Sequence, residues 1–106
     1  MLVVSRFRVA VSADPDRLRE DLAAAHALLA ARPGYVDGTL GRNLDDPDLW
    51  VLTTRWESVG AYRRALSSYE VKAGAVPILS AAIDEPSAYE IVGPGSVLNV
   101  PGTRVT

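Results

Sequence analysis

The side chains that could do chemistry cluster at one point of the chain. Trp56 and Tyr62 lie six positions apart, where an alternating stretch gives way to a helical one. An indole donates one hydrogen bond and stacks on flat ligands, whereas a phenol can donate or accept. Leu52 and Leu66 stand beside them in the same two stretches. Dry walls with a few polar groups suit a flat aromatic ligand bearing one or two hydroxyls. Both aromatics could also serve simply as core. Arg42 shares a strand side with Val36 and Leu40, so it could reach the mouth of such a pocket and stabilise an oxyanion, or pair with Asp45, Asp46 or Asp48. A guanidinium keeps its proton, which excludes it as a general base. His26 falls on the edge of an apolar stripe, as a satisfied half-buried histidine or a base.

The elements that must position these groups follow from periodicity. Trp50, Leu52, Thr54 and Trp56 alternate with Val51, Thr53 and Arg55, as the two faces of a strand do. Ser58 then suits an N-cap, and Val59, Tyr62, Ala65 and Leu66 recur at helical spacing. Upstream, Leu2 to Val11 reads as a first strand. Asp14 caps a helix with Pro15 in its first turn, and Leu18, Leu22, Ala25 and Leu29 form its buried stripe. That helix runs to about Arg32, where Pro33-Gly34 stops it.

Tyr35 to Leu44 is the second strand, with Val36, Gly38, Leu40 and Arg42 on one side and Tyr35, Asp37, Thr39 and Gly41 on the other. Its glycines permit a bulge or a close approach. The Asp45-Asp46-Pro47-Asp48 turn makes strands two and three a hairpin. After the central helix comes a broken helical region: Ser67-Ser68 could end one segment and cap another, Gly74 interrupts it, and Pro77 opens a last turn or two through Ile78, Leu79, Ala82 and Ile83, before a fourth strand over Ser87 to Val92.

The order β-α-β-β-α-β predicts an α+β ferredoxin-like sandwich with helices on one face of the sheet. The other face carries Leu2, Val4, Ala10, Val51, Ala88 and Val92 among Arg6, Arg8, Asp37, Arg55 and Glu90. It is too apolar to lie bare, so a homodimer closing sheet on sheet is expected, with the charges paired.

Composition narrows the classes. A chain of 106 residues with 48% hydrophobic and 23% charged residues makes one globular domain. It contains no cysteine, which excludes thiolate chemistry, and one histidine, which excludes a multi-histidine metal site within one chain. A net charge of −2 without a basic cluster argues against nucleic acid. Nothing approaches the roughly 20 apolar residues of a membrane span. Charges at Arg6 and Arg8 interrupt the stretch a signal peptide would need, so a cytoplasmic location is expected.

Trp56-Glu57-Ser58 followed by Ala61-Tyr62-Arg63, with Arg32-Pro33-Gly34-Tyr35 upstream, resembles the antibiotic biosynthesis monooxygenase family of dimeric α+β barrels. The likeness covers residues 2 to 92 and implies a domain over 1–92. The remainder, 93–106, is a glycine- and proline-rich extension with a possible short strand at Ser96 to Val100, expected to pack on the partner subunit.

Two branches of the family can be compared residue by residue. The haem-degrading branch implies an asparagine, a second tryptophan and a histidine ligand where this chain has Phe7, Ala65 and Ala75. The branch that oxidises polyketide phenols without a cofactor implies pocket roles for Trp56 and Tyr62. Its asparagine falls at Leu52, its histidine at Arg42 and its arginine near Val76, with Lys72 the nearest cation. The resemblance therefore implies a cofactor-independent monooxygenase of a small phenolic or polyketide-like aromatic. Its site would comprise Trp56, Tyr62 and Arg42, walled by Leu52, Leu66, Leu40 and Val76. A non-catalytic barrel binding a small apolar ligand, or an isomerase or cyclase on the same scaffold, remains open.

Overall fold

The computed structural model describes residues 1–9 and 13–98. Its elements are β1 (Leu2–Arg8), α1 (Pro15–Ala30), β2 (Tyr35–Arg42), β3 (Leu49–Trp56), α2 (Val59–Ser67), α3 (Tyr69–Gly74), α4 (Val76–Leu79) and β4 (Ala88–Tyr89). The strands form one antiparallel sheet in the order β2-β3-β1-β4. This is the ferredoxin-like arrangement, with its second helical unit divided into α2, α3 and α4.

Local chemistry sets the helix boundaries. The Asp14 carboxylate accepts from the Asp16 amide, and Pro15 opens α1 where an amide hydrogen would have no partner. Ser58 accepts from the Ala61 amide at the start of α2. Ser68 separates α2 from α3 by acting at both, donating to the Ala65 carbonyl and accepting from the Val71 amide. Gly34 adopts φ +88°, which suits glycine, and turns the chain from α1 into β2.

The core lies between the sheet and the helices. Phe7, Leu52 and Trp56 contribute from the strands, Leu22, Ala25 and Leu29 from α1, and Ala61, Ala65, Val71 and Ala75 from the later helices. Each buried large apolar side chain contributes about 1.5–3 kcal/mol by leaving water. The alternation expected along β3 is present: Trp50, Leu52, Thr54 and Trp56 are all buried, and Arg55 is exposed.

Several boundaries and sides differ from expectation. In β2 a bulge between Tyr35 and Asp37 puts Tyr35 opposite Trp56 and leaves Val36 51% exposed. Tyr35 therefore joins the helix side rather than the side of Asp37, because the extra residue reverses the alternation. β1 ends at Arg8, and the expected continuation through Ala10 and Val11 lies outside the described residues.

β4 is two residues rather than the expected six, because its register pairs Tyr89 with Leu2, the first residue of β1. Residues beyond it run past the end of their partner strand. The same register sets Tyr89, not Ala88, beside Leu2 on the open face, since neighbours across a ladder share a side. The expected charge pairing there is present in altered form. Arg55 pairs with Asp37, Arg6 with Glu85 and Arg8 with Asp46. The extension is described only to Leu98, so the end of the strand suggested for Ser96 to Val100 falls outside the described residues.

Candidate functional site

A cleft of about 460 Å³ opens between β1 and the helical region from α2 to α4. Tyr62 and Leu66 come from α2, Lys72 from α3, and Val76 and Leu79 from α4. Ser5 of β1 faces them, and Val4, Ala82, Ile83, Glu85 and Ser87 complete the wall. The returning segment is tied to β1 by bonds from the Ile83 amide to the Arg6 carbonyl and from the Val4 amide to the Ser87 carbonyl. These ties hold the residues before β4 against the sheet edge and so form the far side of the cleft.

The structure brings together Tyr62, Leu66 and Val76 from the sequence-derived set. Trp56 lies behind Tyr62, with ring centroids 5.5 Å apart, and is only 2% exposed. Its indole N–H donates to the Thr54 hydroxyl at 2.9 Å, so its polar group is satisfied within the protein. Leu52 is buried in the core and Leu40 packs on it; neither lines the cleft.

Arg42 stands elsewhere. It borders a second hollow of about 310 Å³ with Trp50 and Gly41. Its guanidinium lies over the Trp50 ring at 5.3 Å, and its Nε donates to the Pro47 carbonyl at 2.6 Å. A backbone oxygen in the hairpin turn thus holds this side chain, rather than one of the neighbouring aspartates.

The cleft wall is mainly apolar by area, with Ser5, Tyr62, Lys72, Ser80, Glu85 and Ser87 as its polar residues. Burial pushes the Tyr62 phenol above its ordinary range, which keeps it neutral and able to donate at physiological pH. Glu85 is occupied by Arg6, whose Nη2 sits 2.7 Å from its carboxylate. Lys72 lines the cleft without an ion pair among the described residues. The arrangement can therefore hold a flat apolar body and offer one phenolic donor and one ammonium to an oxyanion.

Sequence reasoning noted Lys72 only as the nearest cation and did not select Ser5, Ser80, Ile83 or Ser87. The short helical turn expected after Pro77 is present as α4, but its spacing does not signal that this segment folds over β1. Phe7, Ala65 and Ala75, the positions compared with the haem-degrading branch, are all core residues. Among the described residues no group of three metal-ligating side chains occurs, and no helix is long and apolar enough to cross a membrane.

The comparisons with known proteins bear on the family and the fold. No curated protein matches the chain significantly. Among solved structures, SnoaB, a cofactor-independent oxygenase from Streptomyces nogalater, is 27% identical with a TM-score of 0.67, over 94% of this chain and 95% of that one. A mutant of the same protein gives 28% identity and a TM-score of 0.68, over 77% and 82% of the two chains. Rv0793 from Mycobacterium tuberculosis, at 22% identity and a TM-score of 0.65 over 90% and 97%, shares the fold. The family model for antibiotic biosynthesis monooxygenase matches residues 1–76, which carry β1 to α3 and the first helical walls of the cleft, and the chain belongs to that family.

Proposed function

We propose that the protein is a cofactor-independent monooxygenase of a small phenolic or polyketide-like aromatic, acting as a homodimer. The observation that carries this reading is the largely apolar cleft lined by Tyr62 and by Lys72, which has no ion pair among the described residues. The oxygenase activity named for SnoaB supports it.

In this reading the aromatic lies between Leu66, Val76 and Leu79 and the edge of β1. Tyr62 donates to the substrate oxygen, and Lys72 neutralises the phenolate or enolate. Stabilising that anion increases its population at neutral pH, and the electron-rich ring itself reduces oxygen. Trp56 acts as a positioning residue, since its ring supports Tyr62 and its N–H is held by Thr54. Arg42 in the second hollow contributes nothing to this cleft. The domain is residues 1–92, and the extension 93–106 packs on the partner subunit.

Oxygen consumption with anthrone and hydroquinone substrates, with no flavin, haem or metal added, tests the reading. Turnover by the wild type and its loss in Tyr62→Phe and Lys72→Met are expected. A second reading, a barrel that binds such ligands without oxidising them, is favoured by the apolar Leu52 and Val76 and by the internally satisfied Trp56 N–H. Stoichiometric binding with no oxygen uptake would select it.

A further inference from the structure

Four aromatic rings form a continuous line from the cleft to helix α1. Tyr62, which lines the cleft, contacts Trp56 at a centroid distance of 5.5 Å. Trp56 meets Tyr35 edge-on, also at 5.5 Å. Tyr35 in turn lies 5.8 Å from the His26 ring, with its hydroxyl 2.6 Å from His26 Nε2. The terminal pair occupies a hollow that a glycine provides. A Cβ at Gly38 would lie 2.6 Å from His26 Nε2 and 2.7 Å from the Tyr35 hydroxyl. Any other residue there would displace the hydrogen bond. The bulge in β2 serves the same end, because it turns Tyr35 onto the helix side.

We propose that Tyr62, Trp56, Tyr35 and His26 form a path for one-electron oxidation, which draws oxidising equivalents out of the cleft and ends at a Tyr35 radical with its proton on His26. Phenol and indole are the most easily oxidised groups of this chain, which has no cysteine. Adjacent rings in contact exchange electrons readily. A phenol loses its electron most easily when its proton has an acceptor already in place, and His26 Nε2 is that acceptor in the Nδ1–H tautomer.

The assignment of the oxidant rests on the oxygenase reading above. The substrate anion gives one electron to oxygen; when the superoxide so formed escapes, the substrate radical left behind adds a second oxygen and becomes a peroxyl radical, which takes one electron from the nearest ring. The vacancy passes through Trp56 to Tyr35, and the Tyr35 proton moves to His26. The products are a substrate peroxide anion in the cleft, the released superoxide, a Tyr35 phenoxyl radical and a protonated His26, so charge and atoms balance. The path would protect the cleft walls from covalent damage.

Photo-oxidation tests the path without any substrate, so it is independent of whether the protein is an oxygenase. Tyr69 and Tyr89, at 81% and 46% exposure, would compete for a soluble oxidant, so Tyr69→Phe/Tyr89→Phe is the background. Illumination with a ruthenium tris-bipyridine sensitiser and persulfate, followed by freezing, should give a tyrosyl signal by electron paramagnetic resonance. That signal should disappear in Tyr35→Phe and fall several-fold in His26→Leu, and its rise should slow in D2O only while His26 is present. Incorporation of 3-fluorotyrosine at position 35 keeps the packing and should add a fluorine splitting. A signal unchanged by Tyr35→Phe or lacking that splitting, or a yield indifferent to His26→Leu, would overturn the proposal.

Discussion

The indole N–H of Trp56 donates to the hydroxyl of Thr54, two residues earlier on the same face of β3, and both side chains are 2% exposed. The most polar atom of the corner tryptophan is therefore committed to the fold. Trp56→Phe should remove this bond and leave a buried gap beneath Tyr62, costing about 1–3 kcal/mol of stability. Ligand affinity should change less than in Tyr62→Phe, since no polar contact to the ligand is removed. Urea denaturation and ligand titration of the two variants measure the contrast.

Tyr62 should show the opposite balance. Tyr62 lines the cleft and its hydroxyl takes no part in the core packing with Trp56, so Tyr62→Phe should keep the fold and weaken binding of a hydroxylated aromatic by about 0.5–1.5 kcal/mol, more for an anion. Its titration adds a sign that can be checked. Burial raises the folded pKa above the unfolded value of about 10. Below pH 10 both states are protonated and the stabilisation is complete. As pH rises through and beyond 10 the unfolded chain releases its proton first, and stability falls until the folded pKa is passed. Tyr62→Phe should flatten this alkaline decline in denaturation curves collected between about pH 9 and 11.

Three glycines should respond differently to a single methyl. Gly34→Ala forces a left-handed backbone, at about 1–2 kcal/mol. It also places a Cβ 2.4 Å from the Ala61 Cβ, where α2 packs on the turn. Gly38→Ala drives its Cβ against the Thr53 carbonyl at 2.7 Å as well as the His26–Tyr35 pair, and should cost about 1–3 kcal/mol. Gly60→Ala meets the flexible end of Arg64 and, at an ordinary contact distance of 3.8 Å, the Ser58 hydroxyl, and should be neutral or stabilising by up to about 1 kcal/mol. Thermal melts of the three variants give the ranking.

Legibility in the sequence follows the reach of each signal. The β3-to-α2 corner was readable because alternation and the Ser58 cap are local, and the structure places both as expected. The Pro33-Gly34 stop was readable for the same reason. The side of Tyr35 was not, because one unpaired residue reverses the alternation and only pairing with β3 reveals it. The short β4 depends on where β1 begins, which its own residues do not encode. Lys72 stands in the short helix α3 and the Ile83 to Ser87 wall follows α4, and their convergence depends on how these pieces fold over β1, which is a tertiary fact. Arg42 shared a strand side with Leu40 as expected, yet strand length carried it to the hairpin end, away from Tyr62.

The open face of the sheet yields the last prediction. Leu2, Val4 and Val51 are only partly buried there, and no helix covers them. Beyond β4, Ile91 and Val92 at the end of the domain and Val97 and Leu98 in the extension are between 56% and 96% exposed. So many apolar side chains left in water argue for a second copy of the chain, with the sheet faces meeting and each extension laid on its partner. Arg6, Arg8 and Arg55 already have carboxylate partners within one chain, so closing the interface would not strand a charge. Val51→Lys puts a new unpaired ammonium in the middle of this surface and should yield monomers. Replacing Val97 and Leu98 with serine should weaken the dimer while leaving circular dichroism intact, because these residues lie outside the core. Sedimentation velocity at micromolar concentration measures both effects. A wild type that sediments as a monomer would remove the basis for the homodimer, and an unaffected dimer in the serine variant would remove the role of the extension.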